Sequence, residues 1–309
     1  MVTYHIFCFQ CKWQKEAIMP PYWGSALRGG MGKWLKKISC ILRSRTCDHC
    51  TVRASCAYGF IFETEHLSNT GSKNAHSRPH PIVLKLPYPC NFGTDKGDGF
   101  EFSILLMDKA VDYFPHLLYS LIKLGQQDGL GARAHQGLGR FQVDKVTCNG
   151  ELVFERQAAE VKKPAFCKKL ELHPEENGVK RFRLEFATPF RVKHQGRFVQ
   201  QVPFHLLIRA ALRRISSLEF HYGQGEPQLD YRGLVQEAEK VKTVREDVTW
   251  REVPRYSSRQ KSKMTIGGVV GSATYEGELG KFLPLLRYCE VVHLGKQTFF
   301  GLGKVRIEV

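Results

Sequence analysis

The chain repeats itself, and the repeat limits what it can fold into. Residues 129–141 read GLGARAHQGLGRF and residues 293–305 read HLGKQTFFGLGKV. Laying Gly137-Leu138-Gly139-Arg140 over Gly301-Leu302-Gly303-Lys304 also lays Gly131 over Gly295, at a constant offset of 164. Each loop follows an amphipathic, helix-like run opened by a proline, 114–125 in the first half and 283–293 in the second. Each is followed by a short strand pattern, Phe141-Gln142-Val143 and Val305-Arg306-Ile307. Upstream, strand-like runs at 3–13 and 179–192 precede basic helices at 22–42 and 204–218, whose apolar stripes face away from their cations. Two further strand patterns lie between the helices of each half, at 82–86 and 100–107, then at 244–253 and 265–275. The order is β-α-β-β-α-β, twice: an α+β chain of two tandem ferredoxin-like units, duplicated and not a solenoid. Residues 1–156 and 178–309 are the expected domains and 157–177 the connection; 66–80 reads as a polar loop and 221–233 as a turn region.

Charge narrows the function. The 309 residues carry +16, with 18 lysines and arginines against 11 acids through residue 150 and 28 against 19 after it. The excess runs through the fold and is not a tail, which points to a nucleic-acid partner over a basic bystander. No stretch nears the ~18 uninterrupted apolar residues of a membrane span, and no secretory leader pattern opens the chain, so a cytoplasmic protein is expected.

Of ten cysteines, Cys40, Cys47, Cys50 and Cys56 are bunched in CILRSRTCDHCTVRASC. Cys-x2-Cys is the bite two thiolates need on one tetrahedral ion, and the outer pair completes a four-sulfur set. Arg43, Arg45 and Arg53 favour thiolates there. A structural zinc is expected, an iron–sulfur cluster or free thiols being the alternatives; a closed four-cysteine site stiffens a loop and does no chemistry. Cys8 and Cys11 share the spacing but fall in a strand pattern, where i and i+3 face opposite sides. Cys90, Cys148, Cys167 and Cys289 stand alone.

The glycine loops fit neither Gly-x-Gly-x-x-Gly nor Gly-x4-Gly-Lys-Ser/Thr, which removes dinucleotide and P-loop readings. What they offer is exposed backbone N–H groups beside Arg133, His135, Arg140, Lys296 and Lys304, a composition suited to phosphate.

Four stretches together resemble a known family: GSALRGGMG at 24–32 with the four cysteines and Tyr58, GLGARAHQGLGRF at 129–141, RYSSRQKSKMTIGGVVGSATYEGEL at 255–279, and LPLLRYCEVVHLGKQTFFGLGKVRI at 283–307. They resemble the CRISPR RNA-processing endoribonucleases of the RAMP superfamily, in the subgroup with an N-terminal cysteine cluster. The resemblance implies RAMP-type ferredoxin-like domains that clamp CRISPR repeat RNA and cut the precursor transcript once per repeat. It implies a metal-independent reaction, in which the ribose 2′-hydroxyl attacks the adjoining phosphate and leaves a 2′,3′-cyclic phosphate and a 5′-hydroxyl. Such a reaction needs a base, an acid and cations around the phosphorane.

The chain departs from the family in one respect. Between Glu16 and Cys47 it has no histidine, where many relatives place a catalytic one in or after the first helix. The acid–base candidates are therefore His135, Tyr22 and His49, with Arg28, Lys33 and Lys36 acting by charge; His205 and His293 are alternatives in the second half. RNA-binding candidates are Arg133, Arg140, Lys296, Lys304 and His293 on the loops. Arg209 and Arg213, with Arg214, join them from the second helix. Arg255, Tyr256, Arg259, Lys261 and Lys263 make a basic stretch whose aromatic can stack on a base. The missing histidine keeps a second reading open, a non-catalytic RAMP subunit holding guide RNA among other CRISPR effector subunits. A zinc-containing DNA regulator is a third, weakened because no helix-turn-helix is evident.

Overall fold

The computed structural model describes residues 1–42, 47–64, 77–158, 160–257 and 262–309. The chain divides into two units, Thr3–Lys168 and Met1–Val2 with Lys169–Val309.

The first unit is built on β1 (Thr3–Trp13), where Phe7, Phe9, Cys11 and Trp13 are buried while Cys8, Gln10 and Lys12 are exposed. That period of two is the strand signature read from sequence, and it separates Cys8 from Cys11 as expected. Helix α1 (Gly24–Ser39) buries Leu27, Met31, Trp34 and Leu35, one stripe at helical spacing. Then come α2 (Ala57–Phe62), β2 (Ile82–Lys85), β3 (Gly99–Met107), α3 (Phe114–Lys123) with its proline in the first turn, and β4 (Phe141–Cys148). Asn149 and Gly150, both at positive φ, turn the chain into β5 (Glu151–Glu155), which β6 (Glu160–Val161) extends. The sheet runs β2-β3-β1-β4-β5-β6, with β1 antiparallel to both neighbours. Stacked rings fill its core face, Phe7 on Phe114 at 4.0 Å, Trp13 on Phe100 at 4.2 Å and Phe9 on Phe102 at 4.9 Å.

The short β7 (Lys168–Lys169) spans the division between units. The second unit holds β8 (Arg181–Phe190), the hairpin β9 (Lys193–His194) and β10 (Arg197–Phe198), α4 (Phe204–Tyr222), α5 (Tyr231–Ala238) and β11 (Lys242–Arg251). A second hairpin, β12 (Pro254–Ser257) with β13 (Ser262–Thr265), precedes β14 (Gly268–Glu276), α6 (Leu283–Val292) and β15 (Val305–Glu308). Its main sheet, β11-β14-β8-β15, is antiparallel throughout. Buried Tyr275 donates its hydroxyl to the Val202 carbonyl at 2.7 Å, and Phe204 packs edge-on to Phe282 at 5.1 Å.

In both units the first strand lies between the third and the fourth, so the β-α-β-β-α-β order read from sequence is present twice. Two details differ from expectation. The 157–177 connection is partly structured, because β6 pairs with β5 and the division falls only after Lys168. The 221–233 turn region ends in a helix, α5, whose N-cap Asp230 accepts the Gly233 N–H at 2.8 Å. Among the described residues no helix is long and apolar enough to cross a membrane.

Candidate nucleic-acid interface

The two glycine turns share one backbone. Positive φ occurs at Gly131 (93°), Arg133 (57°), Gly137 (88°) and Gly139 (64°), and at their offset partners Gly295 (86°), Gln297 (64°), Gly301 (88°) and Gly303 (75°). The hydrogen bonds match too. Leu130 N–H donates to the Gly139 carbonyl at 2.8 Å, and Leu294 N–H to that of Gly303 at 2.7 Å. Gly139 N–H reaches the Glu16 carbonyl at 2.7 Å, as Gly303 N–H reaches that of Pro189 at 3.1 Å. A β-carbon on Gly139 or Gly303 would overlap the carbonyl oxygen of Leu130 or Leu294, so these glycines let the turn close on itself. Gly137 is open; a β-carbon there meets nothing within 4 Å.

What the turns carry differs. On the first, Arg133, His135 and Arg140 are exposed, and among the described residues their side chains have no hydrogen-bond or ion-pair partner. On the second, Gln297 stands where Arg133 does and buried Phe299 where His135 does. Lys296 is exposed, and half-buried Lys304 has its pKa lowered by desolvation and then by Arg306. His293 takes the place of Gly129, at φ 62° and ψ 154°, a backbone region that glycine favours. It is fully buried, with Nδ1 3.2 Å from the Leu302 carbonyl, so the expected RNA contact by His293 is withdrawn.

The first turn is tied to α1. A single π-helical turn, Leu124–Asp128, joins α3 to the loop. Asp128 accepts from Lys33 Nζ at 2.7 Å and Trp34 Nε1 at 2.9 Å. The glycines of GGMG explain the close approach: Gly30 faces Leu124 and Gly32 faces Phe62, with no room for a β-carbon at either. On α1, Arg28 is half-buried with its guanidinium 5.1 Å from the Phe62 ring centroid, and Lys36 lies over Tyr58 at 5.3 Å. Tyr22 is buried against Tyr88, and burial pushes its hydroxyl well above the ordinary tyrosine value; it is corrected from acid–base candidate to core residue.

In the second unit Arg209 and Arg213 are exposed on α4, Arg209 4.0 Å from Glu239. Arg214, expected on the same face, turns aside and donates to the Val292 carbonyl at the end of α6, at 3.0 Å. His205 is half-buried, 6.4 Å from His194, with its pKa lowered by desolvation. On β12 the Arg255 guanidinium stacks over Phe300 of the second turn at 4.9 Å. Arg259, Lys261, Arg43 and Arg45 lie outside the described residues, as do the side chains of Tyr256 and Lys263.

Comparison with known proteins places this arrangement. The AF_1859_N N-terminal domain family matches residues 2–166, more than half of the chain, and the CRISPR-associated endoribonuclease Cas6 family matches residues 184–305. The chain belongs to the AF_1859_N N-terminal domain family, and its second half carries a match to the Cas6 endoribonuclease family. An uncharacterized protein of Archaeoglobus fulgidus is 26% identical over 297 residues, 94% of this chain and 92% of that one. A Thermus thermophilus Cas6 superposes with a TM-score of 0.55 at 13% identity, covering 99% of both chains. A partial Cas6-RT-Cas1–Cas2 complex superposes with a TM-score of 0.56 at 11% identity, over 100% of this chain and 46% of that one. At these identities the structural likeness is one of fold.

In the first unit the cysteine segment links the ends of α1 and α2. Cys40 follows α1, Cys56 caps α2, and Cys47 and Cys50 sit on the turn between, where Cys50 N–H donates to the Cys47 carbonyl at 3.3 Å. All four thiols are half-buried and line one pocket with Lys36, Arg53 and Tyr58. Arg53 donates to the carbonyls of Cys47 at 2.9 Å and Asp48 at 3.0 Å, so it braces the loop backbone. The expected lowering of the thiols is not seen at Cys47, whose pKa burial raises, with Lys36 pulling the other way. Four thiols are the donor set of a tetrahedral zinc, although among the described residues no three such side chains stand close enough together to hold one ion. His49 is exposed beside this pocket.

Two outcomes test the turns. Gly139→Ala is expected to cost about 3 kcal/mol or more in urea unfolding, and Gly137→Ala about 1 kcal/mol, because both lose the glycine backbone but only the first meets a carbonyl. Arg133→Ala with Arg140→Ala is expected to leave stability within about 0.5 kcal/mol and to flatten the salt dependence of RNA binding by roughly 1.5 to 2 log units per log unit of salt.

Proposed function

We propose that this protein is a sequence-specific endoribonuclease that cuts CRISPR repeat RNA in precursor transcripts to release guide RNAs. The observation that carries the reading is His135, solvent-facing and unpaired between Arg133 and Arg140 on the first glycine turn. An imidazole can move a proton near neutral pH, and two guanidinium groups beside it offset the charge of a phosphorane. The ribose 2′-oxygen attacks the adjoining phosphorus as its proton passes to a base, and the 5′-oxygen leaves as it takes a proton. The products are a 2′,3′-cyclic phosphate and a 5′-hydroxyl. His135 serves one of these proton transfers; the exposed His49 is the alternative, and Arg28, stacked on Phe62, contributes fixed positive charge. The requirement for a 2′-hydroxyl restricts the reaction to RNA. The tandem β-α-β-β-α-β units, ferredoxin-like in strand order, supply the RNA-binding frame.

In this reading Cys40, Cys47, Cys50 and Cys56 hold a structural zinc. It would staple α1 to α2 and stay apart from the reaction. A second reading, a RAMP subunit that holds guide RNA without cutting it, draws support from α1: Tyr22 is buried and the helix carries no histidine.

Single-turnover cleavage of the cognate repeat RNA in EDTA separates the readings. The nuclease gives one cut with a 2′,3′-cyclic phosphate end, abolished by a 2′-deoxy substitution at the scissile nucleotide; tight binding without cleavage supports the holding subunit. His135→Ala is expected to slow cleavage about 10²- to 10³-fold with affinity nearly unchanged. Cys47→Ser with Cys50→Ser is expected to release about one equivalent of zinc and lower the melting temperature. An apparent rate equal to wild type per folded molecule would agree with a purely structural ion.

A further inference from the structure

Among the described residues, one lysine or arginine is buried by its surroundings, and it lies in the second unit. Arg191 follows β8 directly, and its carbonyl accepts the Lys296 N–H of the second glycine turn at 3.0 Å. In the first unit the same bond runs from Ala132 N–H to the Ile18 carbonyl at 2.8 Å, so the duplication aligns Arg191 with an aliphatic residue that is 46% exposed. Arg191 is only 7% exposed. Among the described residues one of its five donors has a protein acceptor, Gln297 Oε1 at 3.3 Å, and Nε has none. Among the described residues it makes no ion pair; Glu252, the acid within its field, takes the Trp250 Nε1–H at 2.6 Å instead. Its guanidinium lies 4.0 Å from the centroid of Phe198 on β10, with Lys193 Nζ 5.0 Å from the same ring. Phe198 stays 37% exposed.

A structural arginine in so dry a place uses its donors on carbonyls or a carboxylate, since an unpaired buried charge costs several kcal/mol. Here the donors are left over, and the surroundings, Lys193, Lys296 and the part-exposed Phe198, favour an anion with an aromatic base attached. The planar fork matches two oxygens of a phosphate. Desolvation lowers the Arg191 pKa, as expected for a charge whose partner is missing.

We infer that Arg191 is the counter-charge for a single phosphate bound between the second glycine turn and the β9–β10 hairpin, and that the phosphate belongs to the RNA backbone. The RNA source rests on the function proposed above; the phosphate site does not.

The test uses full-length protein, Arg191→Gln and Arg191→Lys. With repeat RNA titrated at several salt concentrations, Arg191→Gln is expected to bind about tenfold more weakly, with the slope of log affinity against log salt reduced by about one. Its melting temperature without RNA should equal or exceed that of wild type, because an uncompensated buried charge has been removed. Arg191→Lys should restore part of the affinity. An unchanged affinity and slope in Arg191→Gln would overturn the proposal while leaving RNA processing intact, and a lowered melting temperature with an unchanged slope would make Arg191 a structural residue. Should wild type bind no RNA, melting in inorganic phosphate against chloride at equal ionic strength decides: a phosphate-dependent rise in wild type that Arg191→Gln lacks keeps the site and rejects the RNA source. An equal response of the two proteins rejects the site.

Discussion

The Leu130 carbonyl occupies the space a β-carbon of Gly139 would need, and the Leu294 carbonyl does the same at Gly303. That contact closes each turn into a loop whose ends are fixed. Through the bonds from Gly139 to Glu16 and from Gly303 to Pro189, the loop is also anchored at or just past the end of the first strand of its unit. The last strand of each β-α-β-β-α-β set therefore starts from a defined point beside the first strand, which is where the sheet order puts it. The turn that sets strand position also presents Arg133, His135 and Gln136 to solvent.

Once the backbone is fixed by glycine, side chains at the other positions are free to diverge, and they have done so by chemistry. Arg133, His135 and Arg140 of the first turn face Gln297, Phe299 and Lys304 of the second in the alignment. Phe299 is buried, so the second turn has exchanged an exposed titratable ring for core packing. Only the first copy keeps an exposed imidazole on the turn. The second has gained Arg255 stacked on Phe300, a fixed charge over a fixed ring.

Much of this was legible in the sequence because it depends on local period and on glycine. The β1 alternation, the α1 stripe and the offset of 164 each report a geometric requirement that few residues meet. Two of the losses, Tyr22 and Arg214, share one cause, which is burial by segments distant in sequence. Tyr22 looks like a free phenol at the head of a basic helix until Tyr88 covers it. Arg214 reads as one of three surface cations, but its i+1 relation to Arg213 turns it toward Val292. His293 was readable and was missed: it aligns with Gly129, and a position that takes glycine at positive φ in one copy is a poor place for a surface contact in the other. Helix α5 also left a signal in Asp230-x-x-Gly233, hidden by the Gly- and Pro-containing segment ahead of it. Arg191 left none, since its meaning lies in what fails to surround it.

Net charge needs the same sorting before it bears on function. Many of the cations behind +16 are already spent on acids, as in Arg287 with Glu176, Arg306 with Glu185 and Lys145 with Glu155. Such exposed pairs contribute little to stability and nothing to the attraction of a polyanion. Others brace the fold, Arg53 on the cysteine loop and Arg214 on the end of α6. Among the described residues, cations left for a partner include Arg133 and Arg140 on one turn and Lys296 beside the other, with Arg213 on α4. The far field of the chain follows from its composition, but the affinity of a phosphate for it follows from side chains such as these and Arg191, which among the described residues have no internal acid to displace.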